Sequence, residues 1–308
     1  MSDHRILSLL PAATEIVCAL GFEEKLVGRS HECDFPETVK QLPVCSEANF
    51  PDNLSSGDID KKVKELLFNA LSIYSINRKL IKELAPDIVI TQAQCEVCAV
   101  SLEDVELALK DELENPAKII SLQPNSLEDI YRNIREVALV LGADDRAEQL
   151  IELLDERVGI IRHKLKFIET KPSIACIEWL EPLMVSGNWI PELVNIAGGT
   201  SILAEPGKHS PFVQWAEIQQ ADPDIILLMP CGFSIERTIK EIHLLLQLPG
   251  FADLNAIKNN RLYIADGNQY FNRPGPRIID AIEILAEIIN PKQFIFGYEG
   301  NGWVKFTL

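Results

Sequence analysis

Short apolar runs alternating with helix-spaced apolar residues set the rhythm of this chain. Ile6-Leu7-Ser8-Leu9-Leu10 has strand length and breaks at Pro11-Ala12-Ala13. From Thr14-Glu15 a helix follows, with Ile16, Val17 and Leu20 on its apolar face and Gly21 as its stop. Val27-Gly28 begins a second strand that runs into the dense polar loop Arg29 to Pro36. Beyond it, Ser55 to Tyr74 reads as a helical segment after a turn, Asn77 to Leu84 as a helix, Asp87 to Thr91 as a strand, and Lys118 to Ser121 as the last strand of this half.

Two stretches say nearly the same thing: Leu84-Ala85-Pro86-Asp87-Ile88-Val89-Ile90 and Ala221-Asp222-Pro223-Asp224-Ile225-Ile226-Leu227. Each is a helix end, a Pro-Asp break and a run of apolar residues that forms a buried strand. The repeat predicts two similar α/β lobes with a ligand cleft between them. Ser126-Leu127-Glu128-Asp129 resembles a capping box, with Ser126 as N-cap and Asp129 where a Glu is usual. A long helix starts there. After Gly142, a candidate kink, apolar residues recur at Ala147, Leu150, Ile151, Leu154, Val158, Ile161, Leu165 and Ile168 until Lys171-Pro172 stops the pattern. This segment is too regular for a flexible linker and is expected to be a stiff helical spine. The second half predicts strands at Ile174 to Ile177, Ile225 to Met229 and Leu262 to Ala265, with helices near Trp189 to Ile196, Thr238 to Gln247 and Arg277 to Ile289. The expected organisation is an N-terminal α/β lobe over 1–125, the connecting spine over 126–170 and a C-terminal α/β lobe over 171–308. Alternation of strand and helix makes each sheet mainly parallel, with its strand-end loops on one face.

Composition narrows the function classes. At 308 residues and 47% hydrophobic the chain can bury two cores, and its formal charge of −17 argues against nucleic acid or an anionic membrane surface as partner. No apolar run reaches the length of a membrane span, so no membrane insertion is expected. The N-terminus shows neither a cationic leader nor a long apolar run, and seven cysteines, an odd count, suit a reducing compartment. Together these lead to the expectation of a cytoplasmic protein.

The unusual residues collect in the predicted strand-end loops. The first lobe contributes Pro11, Ala12, Thr14, Ser30, His31, Glu32 and Gln94, and the second Glu178, Trp179, Asn188, Trp189, Cys231, Asn268, Tyr270 and Phe271. Aromatic rings beside amides and hydroxyls suit a large, flat, partly polar small molecule. Cys95-x-x-Cys98 is half a soft metal site, which His31 and Cys33 would complete with zinc or iron if the fold brings their loops together. A redox pair and thiols that merely pack are the other readings of these cysteines. Enzyme motifs are lacking: the serines have no nucleophile-elbow context, and there is no glycine-rich phosphate loop.

With those residues in view, the chain resembles the periplasmic-binding-protein family whose two Rossmann-like lobes are joined by one long helix. That family includes cobalamin-, haem- and iron-siderophore-binding components of ABC importers. The resemblance rests on Ser8-Leu9-Leu10-Pro11-Ala12-Ala13-Thr14-Glu15-Ile16, on Val27 to Asp34, on both Pro-Asp strands, on Pro249-Gly250-Phe251, and on Arg273-Pro274-Gly275-Pro276-Arg277. Thr91 to Ser101 resembles a cobalamin-binding subset. The resemblance implies a ligand-binding protein rather than an enzyme. Its ligand would be a cobalamin-like corrinoid, another tetrapyrrole or a metal chelate, with no cofactor required; limited lobe closure is expected because a helical spine restrains hinge motion more than paired loops would. It also implies an ABC importer as partner, against which the N-terminus without an export signal argues. The rival is a metal-handling or thiol-dependent enzyme on the same scaffold, built on Cys95 and Cys98.

Overall fold

A computed structural model describes residues 4–51, 54–69, 72–92, 102–112 and 116–307. The chain forms two compact units: Met1–Leu54, Asp58–Pro124 and Glu128–Glu152 make the first, and Ser55–Gly57, Asn125–Leu127 and Leu153–Leu308 the second. The first unit carries β1 (Ile6–Ser8), α1 (Pro11–Ala19), β2 (Leu26–Arg29), β3 (Ser46–Ala48), most of α2 (Ser56–Phe68), β4 (Tyr74–Ile76), α3 (Arg78–Leu84), β5 (Ile88–Gln92), α4 (Leu102–Glu112), β6 (Lys118–Leu122) and α5 (Leu127–Leu141). Its four-stranded sheet runs β2-β1-β5-β6 with every neighbour parallel, while β3 and β4 pair antiparallel apart from it. All three residues of β1 are buried, as a strand covered by helices on both faces requires. Leu7, Leu9, Val63, Ile81, Val89, Val105 and Leu109 pack into one cluster of this unit.

Helix α6 (Asp144–Leu165) contributes to both units. The second unit continues with β7 (Ser173–Trp179), β8 (Met184–Val185), α7 (Ile190–Ile196), β9 (Thr200–Ser201), α8 (Trp215–Ala221), β10 (Ile225–Leu228), α9 (Ile235–Glu241), α10 (His243–Leu246), α11 (Asn255–Lys258), β11 (Leu262–Ala265), α12 (Ile278–Ile289) and β12 (Trp303–Lys305). Strands β9, β7, β10 and β11 are parallel neighbours, and β8 and β12 add antiparallel pairs on β7 and β11. Among the described residues no helix is long and apolar enough to cross a membrane.

The repeated Pro-Asp motif folds the same way twice. Helix α3 ends at Ala85 with φ of 40° and α8 at Asp222 with φ of 39°, both left-handed, and each is followed by a central parallel strand. The two aspartates do the same work: Asp87 accepts the backbone N–H of Arg5 at 2.9 Å, and Asp224 that of Ser173 at 2.8 Å. Each therefore ties β5 or β10 to the start of its neighbour, β1 or β7.

Two expectations are corrected. The segment from Ser55 to Tyr74 is not one helix, because α2 stops at Phe68 and Tyr74 begins β4, where Tyr74 pairs with Ala48. The expected spine is two helices. Ala143 N–H bonds to Ala138 O at 2.9 Å and Gly142 N–H to Leu139 O at 3.4 Å, with Gly142 at φ of 66°, a Schellman stop that ends α5 before α6 starts.

Candidate functional site

In the first unit, β1 leads into α1 through Leu10, and Pro11 occupies the first helical turn, where its missing N–H costs nothing. Beneath that turn Thr14 Oγ1 donates to Ser8 Oγ at 2.8 Å, and Ser8 Oγ to Leu10 O at 3.1 Å. Ala12, Thr14 and Ser30 are buried, so they support this surface, while Pro11 and His31 are partly exposed and Glu32 is exposed. The loop after β2 is built around Arg29, whose guanidinium donates to Ser30 O and Cys33 O, each at 3.0 Å, and to Lys40 O at 3.1 Å. His31 Nδ1 lies 3.0 Å from Ser46 Oγ, and its ring is 5.5 Å from that of Tyr74.

Cys33 is completely buried, with Sγ 3.2 Å from Ser30 Oγ. Burial pushes its pKa up, with hydrogen bonds from Ser30 and Thr14 opposing, whereas a soft metal binds the thiolate. Burial likewise pushes Cys45 up to about 11 and Cys18 up to about 12, the latter with Glu23 and Glu15 adding to the effect. Among the described residues no group of three or more His, Cys, Asp and Glu side chains is placed to hold a metal ion. Gln94, Cys95 and Cys98, which follow β5, lie outside the described residues.

The second unit carries Glu178, Trp179, Cys231, Asn268, Tyr270 and Phe271 at the carboxyl ends of β7, β10 and β11, and Asn188 and Trp189 between β8 and α7. Glu178, next to last in β7, accepts Ser210 Oγ–H at 2.9 Å, and Ser210 Oγ accepts Gly187 N–H at 2.9 Å. A Cβ on Gly187 would lie 2.7 Å from Ser210 N, so only glycine lets these two segments approach this closely. Asn188 next to it holds a positive φ of 50°. Trp189 is buried at 8% exposure, and its indole N–H donates to Phe271 O at 3.0 Å, fastening the start of α7 to the turn after β11. Phe271 is itself fully buried. Trp179 is partly exposed, donates Nε1–H to Glu181 O at 3.0 Å and rests against Phe233, ring centroids 5.3 Å apart. Arg237 covers the Phe233 ring at 3.9 Å.

After β11, Asp266 accepts Gln269 N–H at 2.7 Å and opens the π-helical turn Gly267–Phe271 that carries Asn268 and Tyr270. Arg273 is 4% exposed and donates to Asn268 Oδ1 at 3.1 Å, so it sets that amide from below. Cys231 N–H donates to Glu178 O at 3.0 Å. Asn188, Cys231, Asn268 and Tyr270 are all partly exposed. Burial raises the pKa of Glu178, opposed by hydrogen bonds from Ser210 and Ser186, and burial raises that of Asp266, opposed by Gln269. Ser210, Arg237 and Phe233 escaped the sequence because their function is to hold a neighbour. The one available signal was position, since Phe233 follows the β10 end by a few residues.

Aromatic rings, amides and a buried carboxyl, set at the strand ends of the second unit, are the chemistry of a small-molecule-binding protein. The chain belongs to the periplasmic binding protein family, whose model matches residues 6–268. It is a binding protein and not an enzyme, which sets aside the thiol-dependent enzyme built on Cys95 and Cys98. An uncharacterized ABC transporter substrate-binding lipoprotein of Bacillus subtilis is 25% identical over 298 residues, covering 94% of this chain and 81% of the relative. The vitamin B12-binding protein of Vibrio cholerae is 23% identical over 293 residues, 94% of this chain and 90% of that one. Solved structures share the fold, among them two periplasmic proteins. One is a periplasmic heme-binding protein from Roseiflexus (TM-score 0.69, 23% identity, 94% of this chain and 99% of that one). The other, from Staphylococcus epidermidis, is described as a possible iron-binding, periplasmic solute-binding protein (TM-score 0.71, 21% identity, 94% and 100%).

Both inferences drawn from the N-terminus are corrected by these relatives. A cytoplasmic location is overturned, since the relatives are periplasmic proteins or a lipoprotein, and the argument against an ABC importer falls with it. The first residues of a chain describe only themselves, and similarity spread over 94% of the length outweighs them.

Proposed function

We propose that this protein is the substrate-capturing component of an ABC importer and that its ligand is a corrinoid of the vitamin B12 type. One observation carries the choice: curated relatives named as vitamin B12-binding proteins recur, in Vibrio cholerae, Vibrio vulnificus, Vibrio parahaemolyticus and Pectobacterium atrosepticum, at 21–26% identity over 92–94% of this chain. The strand-end chemistry of the second unit supports it. Trp179 and Tyr270 are partly exposed rings on braced supports, and a flat macrocycle would gain both burial and favourable ring geometry against them. Asn188, Asn268 and Glu178 add hydrogen-bonding groups suited to the amide-bearing periphery of a corrinoid. In this reading the protein carries no resident cofactor, and metal arrives inside the chelate.

Titration with cyanocobalamin, hemin and a ferric hydroxamate chelate, followed by tryptophan fluorescence, tests this. Cyanocobalamin is expected to quench with Kd below about 10 μM. Trp179→Ala is expected to weaken that binding by about tenfold, as loss of a buried ring contact does. Binding of hemin or the ferric chelate without cyanocobalamin would replace the ligand assignment, and silence from all three would end the ligand-capture reading.

A further inference from the structure

Within the second unit a chain of contacts runs from α6 to the turn that carries Tyr270. Arg157 of α6 grips Glu283 of α12 with two arms, Nε to Oε1 at 2.9 Å and Nη2 to Oε2 at 2.7 Å, and reaches Asp280 Oδ1 at 2.6 Å. Glu283 Oε2 also accepts the hydroxyl of Tyr298 at 2.9 Å. The Tyr298 ring meets Tyr270 edge-on, with centroids 5.8 Å apart and planes at 78°, and Arg277 lies 5.7 Å from the Tyr270 centroid. Further along α12, Glu287 accepts the N–H groups of Phe296 and Gly297 and the indole N–H of Trp303, the last at 2.7 Å. The segment bearing Tyr298 is thus fastened to α12 on both sides.

Glu283 and Glu287 are 7% and 4% exposed. Buried carboxylates with full sets of partners are seldom better for stability than an apolar pair of the same shape. What this network supplies, and an apolar pair would not, is a fixed angle for a phenol ring. Burial and the nearby Asp280 and Glu283 raise the Tyr298 pKa, so its hydroxyl stays a donor across the working pH range.

We infer that Tyr298 is a positioning residue for ligand capture: locked by Glu283 and Arg157, it sets the Tyr270 ring in the orientation that meets the chelate. This rests on the proposed function, since it takes Tyr270 as a ligand contact. Tyr298→Phe keeps the ring and removes only the hydroxyl. Measured with whichever of cyanocobalamin, hemin and the ferric hydroxamate binds the unmodified protein, it should raise Kd by roughly fivefold, the worth of one hydrogen bond. Arg157→Lys, which keeps the charge and loses the two-armed grip, should give a smaller rise. In a Tyr270→Ala background the Tyr298→Phe substitution should have no further effect, whereas a merely structural role would lower affinity by the same factor in both backgrounds. Unchanged affinity for Tyr298→Phe, or an equal loss in the Tyr270→Ala background, overturns the positioning role and leaves the ligand-capture function standing. No binding by the unmodified protein overturns both.

Discussion

At the scale of single residues, the strand ends of the second unit hold groups whose protonation departs from the ordinary. Burial raises Glu178, so near neutral pH the folded protein retains a proton more strongly than the unfolded chain does. The cost of burying the carboxylate is therefore absent below the usual glutamate value and grows as pH rises through the raised one. Glu178→Gln keeps an acceptor for Ser210 and removes that cost. Its melting temperature is expected to exceed the parent's by about 2 °C or more at pH 7.5, with the gap closing toward pH 4. A gap that widens on acidification would contradict the buried, proton-retaining carboxyl. The thiols give a second test. Cys33, Cys45 and Cys176 are buried with raised pKa values, Cys176 pushed up to about 12 by burial with Glu178 adding to it. Peptide mapping after iodoacetamide treatment at pH 7.5 should find these three unmodified until denaturant is added. The sequence marked Glu178, Trp179 and Tyr270 because residues of those types stood at strand ends. It did not mark Ser210, Phe233 or Tyr298, because a supporting role depends on which neighbour the fold delivers.

At the scale of elements, the Pro-Asp repeat was legible in full, since each strand's apolar run, its preceding helix end and the Pro-Asp break all lie within seven residues. The hydrogen bond each aspartate makes to a distant strand was not, because Arg5 and Asp87 come together only when β1 pairs with β5. The two copies differ in load. Asp87 accepts from the backbone of Arg5, whereas Asp224 accepts from Ser173 N, Ser173 Oγ and Asn255 Nδ2 at 2.8, 3.0 and 2.8 Å. Urea unfolding should therefore show Asp224→Ala costing about 2–3 kcal/mol and Asp87→Ala about 1 kcal/mol. Equal losses would mean that the extra bonds of Asp224 contribute nothing. The break between α5 and α6 shows the opposite case. Helical periodicity continues past Gly142, so the pattern alone does not distinguish a kink from a stop. The left-handed φ of 66° at Gly142 decides it, and Gly142→Ala should destabilise by about 1 kcal/mol.

At the scale of the molecule, two α/β units with mainly parallel sheets and membership of the periplasmic binding protein family make ligand capture the function to test. A ligand that binds only the folded protein stabilises it by mass action, about 2.7 kcal/mol at one hundred times Kd. Calorimetry with cyanocobalamin at that excess should raise the melting temperature by several degrees, and no shift would contradict specific binding. The sequence by itself determined the strands of the first parallel sheet and β7, β10 and β11 of the second, the duplication and the chemical types at the strand ends, because hydrophobic period, Pro-Asp breaks and residue identity are local properties; the short strands β3, β4, β8, β9 and β12 and the stop at Gly142 it left undetermined. Only the tertiary structure decided which of those residues are buried supports, as Thr14, Trp189 and Phe271 are, and which stand partly exposed, as Trp179, Asn268 and Tyr270 do. That division depends on strand pairing and side-chain partners far apart in the chain, which no local pattern records.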